Sequence, residues 1–140
     1  MKKVTTITTT LMLMLALSTG AAFAAQAIDN GTSAGEVIEG TAEANVIHGL
    51  GGDDAIHGRG GNALLYGDGG HDGLYGGAGD DTLYGDAGDD ALYGGPGNDR
   101  LHSMGDGGAD YVDCGAGIDT VKKGSGQSLD RFVDCERFVN

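Results

Sequence analysis

Acidic and amide side chains recur at a fixed step through the middle of the chain. The step is nine residues, with one interruption at Ala63 and one shift of two residues after Leu101. An acidic excess by itself indicates only a solvated surface or disorder. Carboxylates at a regular spacing instead offer repeated oxygen ligands, and we interpret them as a row of sites for a hard cation. These residues, called the turn acids below, are Asn45, Asp54, Asp72, Asp81, Asp90, Asp99, Asp110 and Asp119.

Glycines occupy two further positions of the same frame, five and two residues before the turn acid. Glycine allows the backbone to curl so that main-chain carbonyl groups can point at a bound ion. We therefore predict carbonyl ligands beside the carboxylates. The candidate glycines are Gly49, Gly67, Gly70, Gly76, Gly79, Gly85, Gly88, Gly94 and Gly97.

Aliphatic residues two positions after each turn acid indicate the elements that hold the turns. Each unit divides into a six-residue turn, such as 76–81, and a three-residue strand, such as 82–84. Because side chains alternate along a strand, only the central aliphatic side chain points inward. Nine residues then make half a coil, so the sequence predicts an all-β, two-sheet parallel β-roll around a thin seam. The seam residues are Ile38, Ile47, Ile56, Leu65, Leu74, Leu83, Leu92, Leu101, Val112 and Val121.

The repeat resembles the nonapeptide of the RTX, or haemolysin-type, calcium-binding family, which reads Gly-Gly-x-Gly-x-Asp-x-hydrophobic-x. The units at 76–84 and 94–102 are the most similar to it, and the resemblance extends over roughly residues 38–122. It implies a right-handed parallel β-roll with several Ca²⁺ ions held between successive turns on each edge. Calcium needs about six to eight hard oxygen ligands, which two stacked turns can supply together.

Because coils stack at every second unit, the turn acids divide between two edges of the roll. The first edge carries Asp54, Asp72, Asp90 and Asp110. The second edge carries Asn45, Ala63, Asp81, Asp99 and Asp119.

The two edges are not equivalent as calcium sites. We expect the strongest sites between the turns of Asp54 and Asp72, of Asp72 and Asp90, and of Asp81 and Asp99. The site beside Ala63 should be weak or empty, since a carboxylate is missing there. Acids directly before a turn acid are expected to face solvent and only to raise the local negative potential; they are Asp53, Asp80 and Asp89.

Burial alone is too small to fold such a roll. Each half-coil buries about one aliphatic side chain, which contributes roughly 1.5–3 kcal/mol. Ordering nine residues costs at least roughly 1 kcal/mol each in backbone entropy. We therefore expect calcium binding to supply the difference and folding to follow the free Ca²⁺ concentration.

The N-terminus is typical of a secretory signal peptide. Lys2 and Lys3 precede an apolar run at 11–17, and small residues at 22–27 predict cleavage after residue 24 or 27. The apolar run is well short of the roughly 20 residues that a membrane span needs. We predict a signal peptide at 1–27, a lead-in at 28–37, the roll at 38–122 and a C-terminal cap at 123–140, with export by the general secretory route.

Cys114 and Cys135 are the two cysteines of the chain, and both lie in the exported part. An even number of cysteines in an oxidising compartment predicts a disulfide, which would pin the cap to the roll. Solenoid ends need caps that cover the open seam. The apolar residues available for this are Leu129, Phe132, Val133, Phe138 and Val139.

Aromatic and histidine side chains occupy the last strand position and predict two outer ladders. One contains His48, Tyr66, Tyr84 and His102, and the other contains His57, Tyr75 and Tyr93. We expect these rings to stack between neighbouring strands. The alternative is an aromatic platform for carbohydrate or another surface ligand.

These features favour a secreted, non-enzymatic calcium-binding protein that acts as a monomer. The alternative is a calcium-dependent adhesion or carbohydrate-binding module whose partner is a cell-surface glycan or protein. No His-Glu-x-x-His or Gly-x-Ser-x-Gly motif occurs, so catalysis is not expected. The formal net charge of −13 argues against nucleic acid as a partner, because phosphate binding needs a basic surface.

Overall fold

The computed structural model describes residues 3–6, 27–103, 108–124 and 129–139. Within these residues the chain forms fourteen β-strands and no helix, so none of them builds a helix that could cross a membrane. The strands are β1 (Lys3–Thr6), β2 (Ala27–Asn30), β3 (Glu36–Glu39), β4 (Asn45–His48), β5 (Ala55–His57), β6 (Leu64–Tyr66), β7 (Gly73–Tyr75), β8 (Thr82–Tyr84), β9 (Ala91–Pro96), β10 (Arg100–Ser103), β11 (Tyr111–Ala116), β12 (Thr120–Lys123), β13 (Arg131–Val133) and β14 (Arg137–Val139).

Successive strands alternate between two seven-stranded parallel sheets. The odd-numbered strands form one sheet, called the odd sheet below, and the even-numbered strands form the even sheet. Neighbours in each sheet are therefore one full coil apart, as in the pairs Ile56 with Leu74 and Leu65 with Leu83. This arrangement confirms the predicted parallel β-roll.

The predicted seam forms the core between the two sheets. All ten predicted seam residues have no exposed surface, and the residues on either side of each are only partly buried or exposed. Each strand from β3 to β12 therefore contributes one inward aliphatic side chain, as alternation requires. A core one side chain thick gives each coil little apolar burial of its own.

The shift of frame after Leu101 lengthens one coil without breaking the roll. Leu101 pairs with Val121 and Leu92 pairs with Val112, so each pair spans twenty residues instead of eighteen. Ser103 ends β10, and residues 104–107 lie outside the described part.

The predicted cap adds one further coil. β13 and β14 extend the two sheets in register, with Phe132 beside Val112 and Phe138 beside Val121. Phe132 packs against the buried core, whereas Leu129 is 82% exposed. The predicted disulfide between Cys114 and Cys135 is present, which confirms that this coil is tied to the one before it.

Most of the predicted signal peptide lies outside the described residues. Its residues 3–6 form β1, which pairs with β3 so that Val4 lies beside Val37. Cleavage at either predicted position would remove β1 and leave β3 at the edge of the odd sheet.

Candidate metal centre

Each edge of the roll carries a row of buried carboxylates joined to the backbone of the preceding coil. Asp72 Oδ1 accepts the N–H of Asp54 at 2.8 Å, and Asp90 Oδ1 accepts the N–H of Asp72 at 2.9 Å. On the second edge, Asp99 Oδ1 accepts the N–H of Asp81 at 2.8 Å. The structure thus brings the predicted turn acids together, edge by edge.

Both rows extend further than the sequence analysis predicted. Glu36 precedes Asp54 on the first edge, where its N–H donates to Asp54 Oδ1. Asp130 follows Asp110 on the same edge, and Glu136 closes the second edge after Asp119. Glu36 could have been found, because it lies nine residues before Asn45. Asp130 and Glu136 lie beyond the point where the nine-residue frame ends.

The second oxygen of several turn acids is buried without a hydrogen-bond partner among the described residues. This holds for Oδ2 of Asp72, Asp81, Asp99 and Asp119. A buried, unpaired carboxylate oxygen is costly, so each of these positions favours a cation or a proton. Burial, together with neighbouring carboxylates, raises the pKa of Asp72 to about 6 and that of Asp99 to about 7, although the backbone N–H that each carboxylate accepts acts in the opposite direction.

Main-chain carbonyl oxygens face the same small spaces. A Cβ at Gly67 would lie 2.6 Å from Asp72 Oδ2 and 2.7 Å from the carbonyl oxygen of Gly85 in the next coil. A Cβ at Gly76 would lie 2.5 Å from Asp81 Oδ2 and 2.7 Å from the Gly94 carbonyl oxygen. Because glycine has no side chain, a small space remains here between two stacked coils, and oxygen atoms from both coils line it. This space is called the interval below. The first glycine of the other units faces the acid of its own turn in the same way; these are Gly49, Gly85 and Gly94.

The second predicted glycine set has a different structural reason. These residues have positive φ, and their backbone lies directly against the glycine carbonyl of the preceding coil. A Cβ would overlap that carbonyl oxygen, so only glycine allows the two coils to approach each other here. The residues are Gly70, Gly79, Gly88 and Gly97.

The donor set fits calcium. In the described ranges, no three His, Cys, Asp or Glu side chains gather where they could hold a metal ion. One or two carboxylates cannot satisfy a coordination number of six to eight, so carbonyl oxygens must supply the other protein ligands. Hard oxygen ligands suit calcium, whereas zinc and copper prefer nitrogen and sulfur.

Asn45, whose role as a ligand stays a prediction, uses its side-chain amide for hydrogen bonds within and between turns. Its Oδ1 accepts hydrogen bonds from the N–H and the hydroxyl of Thr41, each at 3.1 Å. Its Nδ2 donates to the carbonyl oxygens of Thr41, Glu43 and Gly58. The Asn45 amide thus donates hydrogen bonds to carbonyl oxygens that converge on it. At a calcium site, such carbonyl oxygens would instead coordinate the ion.

Ala63 leaves the second edge without a carboxylate at its position, because alanine carries only a methyl group. Its N–H donates to Asp81 Oδ1 at 2.7 Å, but its methyl group occupies the place of a carboxylate next to Gly58. We expect Ala63→Asp to bind about one additional Ca²⁺ ion, measured by isothermal titration calorimetry. The uncharged Ala63→Asn is the control for size, and an equal stoichiometry for the two variants would contradict this prediction.

Residues directly before the turn acids form an outer row that the sequence analysis did not foresee. Asp53 Oδ1 accepts the N–H of His71, and His71 Nδ1 in turn accepts the N–H of Asp89. On the other edge, Asp80 Oδ1 accepts the N–H of Asn98 at 2.8 Å. The expectation that Asp53, Asp80 and Asp89 only raise the negative potential was wrong. They are exposed, but Asp53 and Asp80 also tie one coil to the next, as Asp89 does through the N–H of Ala109.

The two outer ladders stack as predicted. His48 and Tyr66 are parallel with centroids 4.3 Å apart, and Tyr75 and Tyr93 follow at 4.8 Å. Tyr111 continues the second ladder with a tilt of 47°. Since the ring faces lie against one another, a sugar could reach mainly ring edges along the ladders. A glycan partner stays a prediction.

The fold and the turns together define a parallel β-roll with acidic, glycine-rich turns between its coils. The family model of the RTX calcium-binding nonapeptide repeat matches residues 30–65, 66–101 and 104–121. The chain therefore belongs to the RTX calcium-binding repeat family. No curated protein and no solved structure matches it.

Proposed function

We propose that this chain is an exported calcium-binding protein whose β-roll forms when Ca²⁺ binds between stacked turns. The main support is the set of buried Oδ2 atoms of Asp72, Asp81 and Asp99, which have no hydrogen-bond partner in the described part. Two of these atoms, those of Asp72 and Asp81, share a glycine-lined interval with a carbonyl oxygen of the next coil. The repeat family supports calcium as the ion.

The two carboxylate oxygens of a turn acid have different roles. Oδ1 accepts a backbone N–H and so holds the carboxylate at a fixed place between two coils. Oδ2 presents negative charge to the interval between them. Carboxylates on one edge are one coil apart, about 4.8 Å, so their mutual repulsion opposes stacking. Bound calcium supplies the positive charge that offsets this repulsion.

Export is the second part of the proposal. The segment at 1–27 has the charge, apolar run and small residues of a signal peptide, and the disulfide suits an oxidising compartment. Outside the cell, sites with dissociation constants of roughly 10⁻⁴–10⁻³ M are sufficient. The role is binding, without catalysis, and calcium is the principal ligand.

The decisive experiment is a calcium titration of protein recovered from the culture medium with its disulfide intact. Far-UV circular dichroism should show little β-structure in excess chelator, and a cooperative gain as free Ca²⁺ rises. Mg²⁺ should not replace it, because magnesium keeps its waters and demands a smaller octahedral site. An unchanged β spectrum in chelator would overturn calcium-dependent folding. Retention in the cell at full-length mass would overturn export.

A further inference from the structure

The positive charges of this acidic chain are unevenly distributed. Arg59 pairs with Glu39 at 2.7 Å, and the Lys123 ammonium lies over the rings of Phe132 and Phe138. Arg131 lies over the ring of Tyr111. The remaining basic residues of 27–139 form no ion pair with any described residue, and all three are in the even sheet. They are Arg100, Lys122 and Arg137.

Arg100 and Arg137 lie on either side of Thr120. The strand register places Arg100 beside Thr120 and Thr120 beside Arg137. All three directly precede the strand position whose side chain points inward, so they belong to the outer face of the even sheet. Neighbouring strands are about 4.8 Å apart, which puts the two arginine backbones about 10 Å apart. Two guanidinium groups at this separation can approach one small anion from opposite sides.

A surface cavity of about 280 Å³ lies at this place. Besides the two arginines and Thr120, it is lined by Asn98, Asp99 and Ile118. Asp99 is 1% exposed, and its carboxylate is held inside the turn, where Oδ1 accepts the N–H of Asp81. The residues around the cavity thus carry guanidinium, hydroxyl and amide donor groups, and the Asn98 amide is held there because its Oδ1 accepts the N–H of Ile118 at 3.0 Å.

Further positive charge lies on one side of the cavity, around His102, whereas the exposed Asp80 carboxylate accepts the N–H of Asn98 on another side. Burial is the main cause that lowers the pKa of His102, and the nearby charges of Lys122 and Arg100 act in the same direction. His102 pairs with Lys122 in the strand register, directly beside the Arg100–Thr120 pair. Positive charge thus extends over two outward rows of β10 and β12. Glu136 is the nearest acid in sequence to Arg137, and its Oε2 accepts the N–H of Asp119 at 2.9 Å.

We propose that the cavity between Arg100 and Arg137 binds a tetrahedral oxyanion, a sulfate or phosphate group. Guanidinium groups bind such oxyanions through paired, charge-assisted hydrogen bonds. Donors on three or more sides match four oxygens better than the two of a carboxylate. The group can be a free inorganic ion or an ester on a larger molecule.

Anion binding at this cavity is coupled to calcium, a step that rests on the proposed function. The turn acids Asp99 and Asp119 lie in the coils that form the cavity, and Asp99 lines it. Calcium held by these acids reduces the negative potential that the anion meets. Linkage requires the reverse effect as well, so the anion should tighten calcium binding by the same factor.

The test uses calcium-loaded, ¹⁵N-labelled protein titrated with sodium sulfate in place of sodium chloride at constant ionic strength. Backbone amides of Asn98, Ile118 and Thr120 should shift saturably. Arg100→Gln and Arg137→Gln should each weaken binding by roughly tenfold or more, since each removes a charge-assisted donor pair. Arg59→Gln is the matched control and should bind sulfate as the parent chain does.

Three further arms make the assignment specific. Acetate should bind more weakly than sulfate, and equal binding would overturn the tetrahedral assignment. A sulfated disaccharide that binds more tightly than sulfate identifies an ester as the source, whereas equal affinity identifies the free ion. An absence of saturable shifts, or an equal loss in Arg59→Gln, overturns the site. If calcium folds the chain and sulfate does not bind, only this inference fails; if calcium does not fold it, the proposed function fails.

Discussion

Replacing Asp72 by alanine is expected to raise the free Ca²⁺ concentration at the folding midpoint by roughly tenfold or more. Asp72 lies in the middle of the first edge, between Asp54 and Asp90. Its buried Oδ2 and the Gly85 carbonyl oxygen face the same interval. The variant therefore loses an anionic ligand at the centre of the row, and calorimetry should also count at least one fewer bound ion. Circular dichroism against free Ca²⁺ measures the midpoint.

Asp53→Ala is the matched control for this variant. Asp53 directly precedes the turn acid Asp54, and its Oδ1 also accepts one backbone N–H, that of His71 at 3.0 Å. Both substitutions thus remove one negative charge and one hydrogen-bond acceptor. They differ in that only Asp72 presents a buried oxygen to the interval between coils. Equal shifts of the midpoint for Asp53→Ala and Asp72→Ala would show that the row acts by its overall charge and not as a set of ligands.

The roll could be predicted because its repeat is the same in sequence and in space. A step of nine residues places each seam residue on the inward position, and twice that step places neighbours such as Ile56 and Leu74 side by side. The turn acids follow the same rule. No knowledge of distant contacts is needed when each unit meets only the next ones.

Two kinds of feature could not be predicted from the sequence. The first is the direction of the hydrogen bonds of individual side chains, and the second is the position of acids that lie beyond the repeat. Asn45 has the spacing of a ligand, yet its amide donates to carbonyl groups that a ligand would leave for the ion. Asp53 looks solvent-facing by spacing, but it accepts the N–H of the next coil. Asp130 and Glu136 continue the rows from a coil without the glycine frame, so their place follows only from the strand register.

The calcium-free chain is expected to regain β-structure when it is acidified. In the folded state burial, together with the charge of Asp54, raises the pKa of Asp72 to about 6, and burial together with the charge of Asp81 raises that of Asp99 to about 7. The ordinary value is 3.8, so the folded state binds more protons than the unfolded state between these values. The stability contributed by the protonated carboxyls is complete below pH 3.8 and is lost as the pH rises through about 6 to 7.

Far-UV circular dichroism of calcium-depleted protein, from about pH 8 to about pH 4, measures this effect. The double variant Asp72→Asn, Asp99→Asn has neutral side chains at every pH and keeps the Oδ1 acceptors. It should therefore show more β-structure than the parent chain at about pH 8 without calcium, and a smaller gain on acidification. Asn45 is the precedent within the chain, since its neutral amide is fully hydrogen-bonded in a turn. A calcium-free spectrum that does not change with pH would mean that ionised, buried carboxylates are not what opposes the folding of the roll.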